Sequence, residues 1–227
     1  MIITILLHVV SCSGPQASGN MLTDYRRVSD FQRLVVTGVQ YLTITQGGDY
    51  QCKITADDNV LSSITSLAKD GVLVIHNKSQ RRRADITVEI VMPQIQELEV
   101  GSAVNAQIQD KVLAHDMVFR INDAANLQID NIQSDGKITA YLNGAGNLNI
   151  AGNVQTFRCL SQGAGNVFAE HLDSQNIFVK ITQSGSIFVT SYGKLEAKIS
   201  GSGSLVYNGE PTDIQKQITG SGNVVRR

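Results

Sequence analysis

A short glycine-rich phrase recurs along the second half of the chain at nearly constant spacing. Its clearest copies are Asn143-Gly144-Ala145-Gly146-Asn147 and Gln162-Gly163-Ala164-Gly165-Asn166. The Asn or Ser that ends each copy serves as a marker, and the seven markers are Asn105, Asn126, Asn147, Asn166, Ser186, Ser204 and Asn223. Successive markers are 21, 21, 19, 20, 18 and 19 residues apart. A period of this length indicates stacked, self-similar units.

Apolar residues alternate with polar ones on both sides of the phrase, which is a strand pattern. Leu148 and Ile150 lie one and three positions after the marker Asn147, and Leu142 and Ile138 lie five and nine positions before it. Side chains two apart share one face of a strand. Each unit therefore predicts two short strands with the glycine phrase at the corner between them, followed by a shorter third stretch.

Stacking such units predicts an all-β chain, a right-handed parallel β-helix of about 20-residue coils. Seven rungs about 4.8 Å apart make a rod of roughly 30 Å. Glycine suits the corner because it accepts positive φ and lets neighbouring backbones approach closely. The markers then form a ladder in which amides bond to the next rung or to the corner backbone.

The N-terminus has the composition of an export signal. Residues 1–10 are apolar and too short to span a bilayer as a helix. The sequence Val9-Val10-Ser11-Cys12 resembles the lipobox of bacterial lipoproteins, so we expect residues 1–12 to be a signal peptide and Cys12 to be lipidated. An ordinary apolar N-terminus is the alternative. Residues 13–30 have linker composition.

Residues 31–94 differ from the repeats. They contain alternating strand patterns without the glycine phrase, and we assign them to an N-terminal β region or cap, with the β-helix repeats at 95–227. The sequence leaves open whether this region continues the coil. It also leaves open a disulfide between Cys52 and Cys159, although Cys159 falls in an inward column and fits a small buried side chain.

One outward column forms a polar ribbon with several cations. Six positions before the markers stand Glu99, Arg120, Tyr141, Leu160, Lys180, Lys198 and Gln217. Arg120, Tyr141, Lys180 and Lys198 are candidate residues for binding a glycan or a peptide. The alternative is a solvated face with a Glu99–Arg120 ion pair between rungs.

A second outward column changes from amide to apolar. Two positions after the markers stand Gln107, Gln128, Asn149, Phe168, Phe188, Val206 and Val225. Stacked apolar side chains on a surface usually mark a contact with a partner. The last four residues predict an oligomer patch against another protomer or a contact with the N-terminal segment. Cover by the chain's own strands is the alternative.

Several phrases also resemble a known family, the putative auto-transporter adhesin head GIN domain of bacterial lipoproteins. The resemblance covers residues 31–225 and rests on Phe31-x-x-Leu34-Val35-Val36-x-Gly38-Val39, Thr45-Gln46-Gly47, Gly71-Val72-Leu73-Val74-Ile75, Met92-Pro93-x-Ile95 and the repeated glycine phrase. The first two repeats depart from the glycine pattern. The resemblance implies a β-helical domain outside the cytoplasm and brings no catalytic residues.

Together these features predict a non-catalytic, lipid-anchored protein of the cell envelope with an adhesin-like, binding or scaffold role and no cofactor or metal. The net charge of −1 argues against a nucleic-acid partner. The expected partners are a membrane, a glycan or envelope protein, and a second protomer. The alternative is a β-helical polysaccharide-active enzyme resembling pectate lyases or polygalacturonases. Such an enzyme needs carboxylates clustered on adjacent rungs, whereas the aspartates here fall at unrelated offsets.

Overall fold

The protein is described by a computed structural model that covers residues 16–78 and 84–227. It is nearly all β, with 69% strand and 2% helix, and its stacked parallel coils form a β-solenoid of about 6 turns. The predicted solenoid is therefore confirmed. The elements are β1 Met21–Arg26, β2 Arg33–Thr37, β3 Tyr41–Gln46, β4 Gln51–Asp57, α1 Asp58–Leu61, β5 Ile64–Lys69, β6 Val72–Asn77, β7 Ile86–Met92, β8 Glu97–Val100, β9 Asn105–Ala114, β10 Met117–Asp123, β11 Asn126–Gly144, β12 Leu148–Ser161, β13 Val167–Ile181, β14 Ser186–Ile199, β15 Ser204–Asn208, β16 Asp213–Ile218 and β17 Asn223–Arg226.

The coils have three sides, each a parallel stack. The first side stacks β8, β10, the C-terminal parts of β11 to β14, and β16. The second side stacks the start of β9, the N-terminal parts of β11 to β14, β15 and β17. The third side is shorter and contains 111–114, 131–134, 152–154, 172–174 and 190–191. Register shifts separate it from its neighbours.

The N-terminal region supplies two further parallel rungs, in an order that differs from the sequence. Strand β2 lies between β6 and β8 on the first side. Strand β3 lies between β7 and β9 on the second side. The rung β2–β3 is therefore enclosed between β6–β7 and β8–β9, and these strands continue the coil.

Antiparallel strands cap the end of the stack that the N-terminal rungs form. Strand β4 pairs with β7 and β1 pairs with β4, while β5 pairs with β6. A parallel edge is thus covered by strands of opposite direction, which protects it from adding further chains. Strand β1 lies inside 13–30, so the segment predicted as a linker includes part of the cap.

The core consists of the inward columns of the rungs. Phe119, Phe157 and Leu195 are fully buried on the first side, as Leu148 and Ile187 are on the second. Cys159 is fully buried beside Phe157, as predicted, and Cys52 is also buried, and both are free thiols. Burial raises the pKa of Cys52 to about 11 and that of Cys159 to about 12.

Close approach alone explains the glycines of the repeated phrase. A β-carbon at Gly165 would overlap the backbone oxygen of Gly146 on the preceding rung. The expected positive φ was wrong: none of the phrase glycines has one, and in the two degenerate copies Ser102 and Asp123 have φ of 62° and 56°. The two early corners therefore contain a residue in the left-handed conformation. The later corners instead bring the glycine backbones of neighbouring rungs into close contact.

The predicted amide ladder is confirmed. Asn126 donates its side-chain amide to Oδ1 of Asn105 at 3.0 Å, and Asn147 donates to Asn126 at 3.1 Å. Asn166 donates to Asn147 at 3.2 Å. The backbone N–H groups of Asn147 and Asn166 donate to these same Oδ1 atoms of Asn126 and Asn147, and the N–H of Ser186 donates to Oδ1 of Asn166. Side-chain amides therefore connect five successive corners, from Asn105 to Ser186.

Candidate functional site

The first side presents the predicted ribbon as one column in register. Arg120 pairs with Tyr141, and Lys180 pairs with Lys198 on adjacent strands. Leu160 separates Tyr141 from Lys180. The ribbon residues are thus aligned along the solenoid axis, with a cation–aromatic pair toward the N-terminal end and two lysines toward the other end.

Arg120 is held by its neighbours. Its guanidinium donates from Nε to Glu97 and lies 4.6 Å from the ring centroid of Tyr141. The expected Glu99–Arg120 ion pair was wrong, because Glu99 accepts a 2.9 Å hydrogen bond from Asn122 instead. The hydrogen bond to Glu97 raises the pKa of Arg120. Arg120 and Tyr141 are therefore pre-oriented, and Arg120 is electrostatically satisfied.

The sequence analysis missed two residues beside the lysines, Arg158 and Phe178. The Arg158 guanidinium carbon lies 4.2 Å from the Phe178 ring centroid, and Nζ of Lys198 lies 5.4 Å from the same centroid. Both residues stand in the outward column eight positions before the markers, which alignment of the repeats could have revealed. A ring between two cations is a favourable arrangement of about 0.5–1 kcal/mol per exposed contact.

Charge is unbalanced around Phe178. Arg158 and Lys198 lie near the ring, Lys180 follows two positions along the same strand, and Glu196 lies opposite Phe178 on the next strand. Lys198 bonds to Glu196 at 2.9 Å and lowers the pKa of that carboxyl, while Lys194 lies 3.7 Å from it. Among the described residues no acidic partner is found for Lys180 or Arg158. We call Arg158, Phe178, Lys180 and Lys198 the cationic cluster.

The second side carries the predicted apolar column. Phe168, Phe188, Val206 and Val225 pair in register on four successive strands. The rings of Phe168 and Phe188 are stacked, with centroids 5.5 Å apart and an interplanar angle of 6°. Phe168 is 38% exposed and Val225 49%, so the chain's own strands leave the column open. A role in oligomer formation stays a prediction.

Two aspartates of the repeats, Asp123 and Asp116, accept hydrogen bonds from the backbone. Asp123 accepts from the backbone N–H of Ser102 at 2.8 Å, and Asp116 accepts from that of Lys137 at 2.7 Å. Within residues 16–78 and 84–227, no group of three or more His, Cys, Asp and Glu side chains is placed to hold a metal ion. These aspartates shape corners.

The N-terminal features lie elsewhere. Cys12 and the predicted signal peptide are outside the described residues. In the part of the chain that is described, no helix has the length and apolar character needed to cross a bilayer.

Most of the chain matches one known protein family. Residues 30–211 match the family described as "Putative auto-transporter adhesin, head GIN domain". The chain belongs to this family. The predicted resemblance is thereby confirmed. No curated protein matches the chain.

Several solved structures are similar in fold to this chain. A putative adhesin from Bacteroides fragilis is 21% identical with a TM-score of 0.86, over 94% of this chain and 100% of that one. A putative adhesin from Parabacteroides distasonis is 20% identical with a TM-score of 0.77, over 94% and 99%. A putative lipid binding protein from the same species is 21% identical with a TM-score of 0.73, over 93% and 98%. These similarities establish the fold.

Proposed function

We propose that this GIN-domain protein is a non-catalytic, lipid-anchored adhesin of the cell envelope whose first side binds acidic polysaccharide. The observation that carries the proposal is the cationic cluster. Lys180 and Lys198 lie directly opposite each other on adjacent strands, and like charges so placed destabilise a sheet. Bound carboxylate or sulfate groups would offset that repulsion.

The shape of the first side suits a long anionic chain. Arg158, Lys180 and Lys198 lie on three successive rungs about 4.8 Å apart, so their charges are spread along the axis rather than converging on one atom. Phe178, held between Arg158 and Lys198, offers an apolar surface for a sugar ring. Contacts of this kind are individually weak and gain strength through repetition along a polymer.

The binding is tested by affinity electrophoresis in gels that contain polygalacturonate. Arg158→Gln, Lys180→Gln and Lys198→Gln together should weaken retardation by roughly tenfold or more, since three charge-assisted contacts are lost. A control triple variant, Lys69→Gln, Lys111→Gln and Lys137→Gln, removes the same charge from exposed positions elsewhere. Equal retardation of the two variants would reject the cationic cluster as the site.

The anchor rests on Cys12 and the lipobox-like sequence before it. Mass spectrometry of the mature N-terminus should show a diacyl or triacyl modification on Cys12. An unmodified Cys12 would show that the protein is not anchored to a membrane through this residue.

The enzyme alternative has its own test. We expect no turnover of polygalacturonate, alginate or other acidic polysaccharides. If wild type does cleave one of these polysaccharides, and a folded Asp123→Ala variant does not, the enzyme alternative would be supported.

A further inference from the structure

The third side carries a groove that runs along the solenoid axis. It begins as a hollow of about 500 Å³ between the β7–β8 connection and the β9–β10 corner, where Gln94, Leu113 and His115 line it. A shallower and more open depression follows it and shares Leu113 and His115 with the first. A third, of about 270 Å³, shares Ser134 and Asn153 with the second and reaches Tyr192.

The three hollows cross five successive rungs, from β9 to β14, which corresponds to about 19 Å at the spacing of neighbouring strands. That length suits an extended polymer lying parallel to the axis rather than a compact small molecule.

The groove is lined by amides that are not bonded to one another. Asn153, Gln155 and Gln175 line its far part. In the described ranges, 16–78 and 84–227, no hydrogen-bond partner is found for their side chains, whereas the marker asparagines of the second side are bonded from rung to rung. Each free amide offers two donors and an acceptor. The far part of the third side therefore presents free amides on two adjacent strands, β12 and β13, that can bond to hydroxyl groups.

The ends of the groove add apolar surface. Leu113 is 59% exposed and Tyr192 is 49% exposed. An exposed phenol ring has a flat apolar face that can pack against the C–H face of a sugar ring, with its hydroxyl free to bond.

Charge and backbone geometry limit the class of polymer that can bind in the groove. The carboxylates of Glu97, Asp116, Asp135 and Asp173 line the groove and outnumber its cations. Of these cations, Arg33 lies in the first hollow and His115 is bonded to Asp135 at 2.7 Å, so the groove does not attract an anionic chain. A peptide adding as a strand would need open backbone groups. At the edge strand of this side, the Gln46 side chain already donates to the Leu113 carbonyl at 3.0 Å and accepts from its N–H at 2.8 Å. Strand addition is thereby blocked at Leu113.

We propose that this groove binds a neutral polysaccharide, with Asn153, Gln155 and Gln175 bonding its hydroxyls and Tyr192 packing on a sugar ring. This site lies on a different side from the cationic cluster and takes a ligand of different charge. One molecule thereby presents two glycan-binding surfaces, parallel to each other along the rod.

The test uses affinity electrophoresis of the full chain in gels that contain laminarin, mannan, arabinoxylan or dextran. At least one of these should retard the protein, with little dependence on salt because no ion pairs are formed. Tyr192→Ala should weaken the retardation by roughly tenfold. Asn153→Ala with Gln155→Ala should do the same, and thermal melting confirms that each variant is folded.

Two controls make the result decisive. Asn149→Ala with Gln162→Ala removes exposed amides from the second side and from a corner and should leave retardation unchanged. The cationic-cluster triple variant should also bind neutral polysaccharide normally. Lack of retardation by all four polysaccharides, or equal retardation of the groove variants and wild type, would overturn the proposal. Loss of polygalacturonate binding alone would bear only on the first side.

Discussion

Asn147 donates both its backbone N–H and its side-chain amide to one acceptor, Oδ1 of Asn126, each at 3.1 Å. Its own Oδ1 then accepts the same two bonds from Asn166. Each asparagine of the ladder is thus both acceptor and donor between neighbouring corners.

Replacement of Asn147 should therefore destabilise the solenoid. Asn147→Ala removes the acceptor of two Asn166 bonds at a partly buried corner, and we expect a loss of about 1–3 kcal/mol in the free energy of unfolding. Urea denaturation followed by circular dichroism measures it. Asn149→Ala, two residues away and exposed, should change stability by less than about 0.5 kcal/mol. Similar losses in both variants would show that the ladder contributes nothing specific.

The phrase glycines predict a steric effect. Gly165→Ala places a methyl group against the backbone oxygen of Gly146, which neither rung can avoid without separating. We expect a loss of about 3 kcal/mol, or failure to fold. Ala164→Ser lies at the exposed position between two glycines and is the matched control. A Gly165→Ala protein as stable as wild type would contradict the close approach.

A buried hydroxyl offers the opposite effect. Ser161 is fully buried in an inward column between Leu142 and Ile181, and among the described residues its Oγ has no hydrogen-bond partner. Ser161→Ala removes an unsatisfied polar atom, and we expect stability to rise by about 1 kcal/mol. Calorimetry measures the change. A loss of stability would indicate a partner for this hydroxyl, such as a buried water.

The His115–Asp135 pair predicts a titration shift. The hydrogen bond that His115 donates to the Asp135 carboxylate, and secondarily the charges of Asp135 and Asp116, raise the pKa of His115 above its ordinary value of 6.5. Because the folded pKa is raised, the stabilisation is complete below pH 6.5 and disappears as pH rises through the folded pKa. NMR titration should show the pKa falling strongly in Asp135→Asn and less in Asp116→Asn. Equal pKa values of His115 in wild type and in both variants would show that His115 and Asp135 do not interact in solution.

The apolar column predicts self-association. Wild type should sediment as a dimer or larger species at micromolar concentration, and Phe168→Glu with Phe188→Glu should sediment as a monomer. Analytical ultracentrifugation distinguishes them, with Leu67→Glu and Val74→Glu as the matched control, since these two exposed apolar residues also pair across adjacent strands. A monomeric wild type would contradict the oligomer prediction. The stacked rings of Phe168 and Phe188 would then contribute only about 0.5–1.5 kcal/mol to the stability of the single chain.

The repeats could be read from the sequence because their contacts are local in register. Once the markers were aligned, the inward columns, the ladder and the ribbon followed, since each rung repeats the geometry of the last. Arg158 and Phe178 obey the same period but were overlooked because that column lacks a uniform residue type. Glu97 replaced Glu99 as the partner of Arg120 because a long guanidinium reaches diagonally across the sheet.

The N-terminal rungs were not readable in this way. Strands β2 and β3 pair on both edges with strands far along the chain, and no repeated phrase links them. The third-side groove was equally hidden, because it depends on register shifts at the shorter strands rather than on a column of fixed offset.

The enclosed rung β2–β3 has a consequence for how the molecule reaches its native state. Asn126 pairs with Asn105, 21 residues away, but Tyr41 pairs with the same Asn105 across 64 residues (105 − 41). Loop closure over the longer separation has a greater entropic cost, so contacts of high contact order form late. Folding should nucleate among the glycine-phrase rungs and spread backward, and the earliest residues to be synthesised would be the last to find their places.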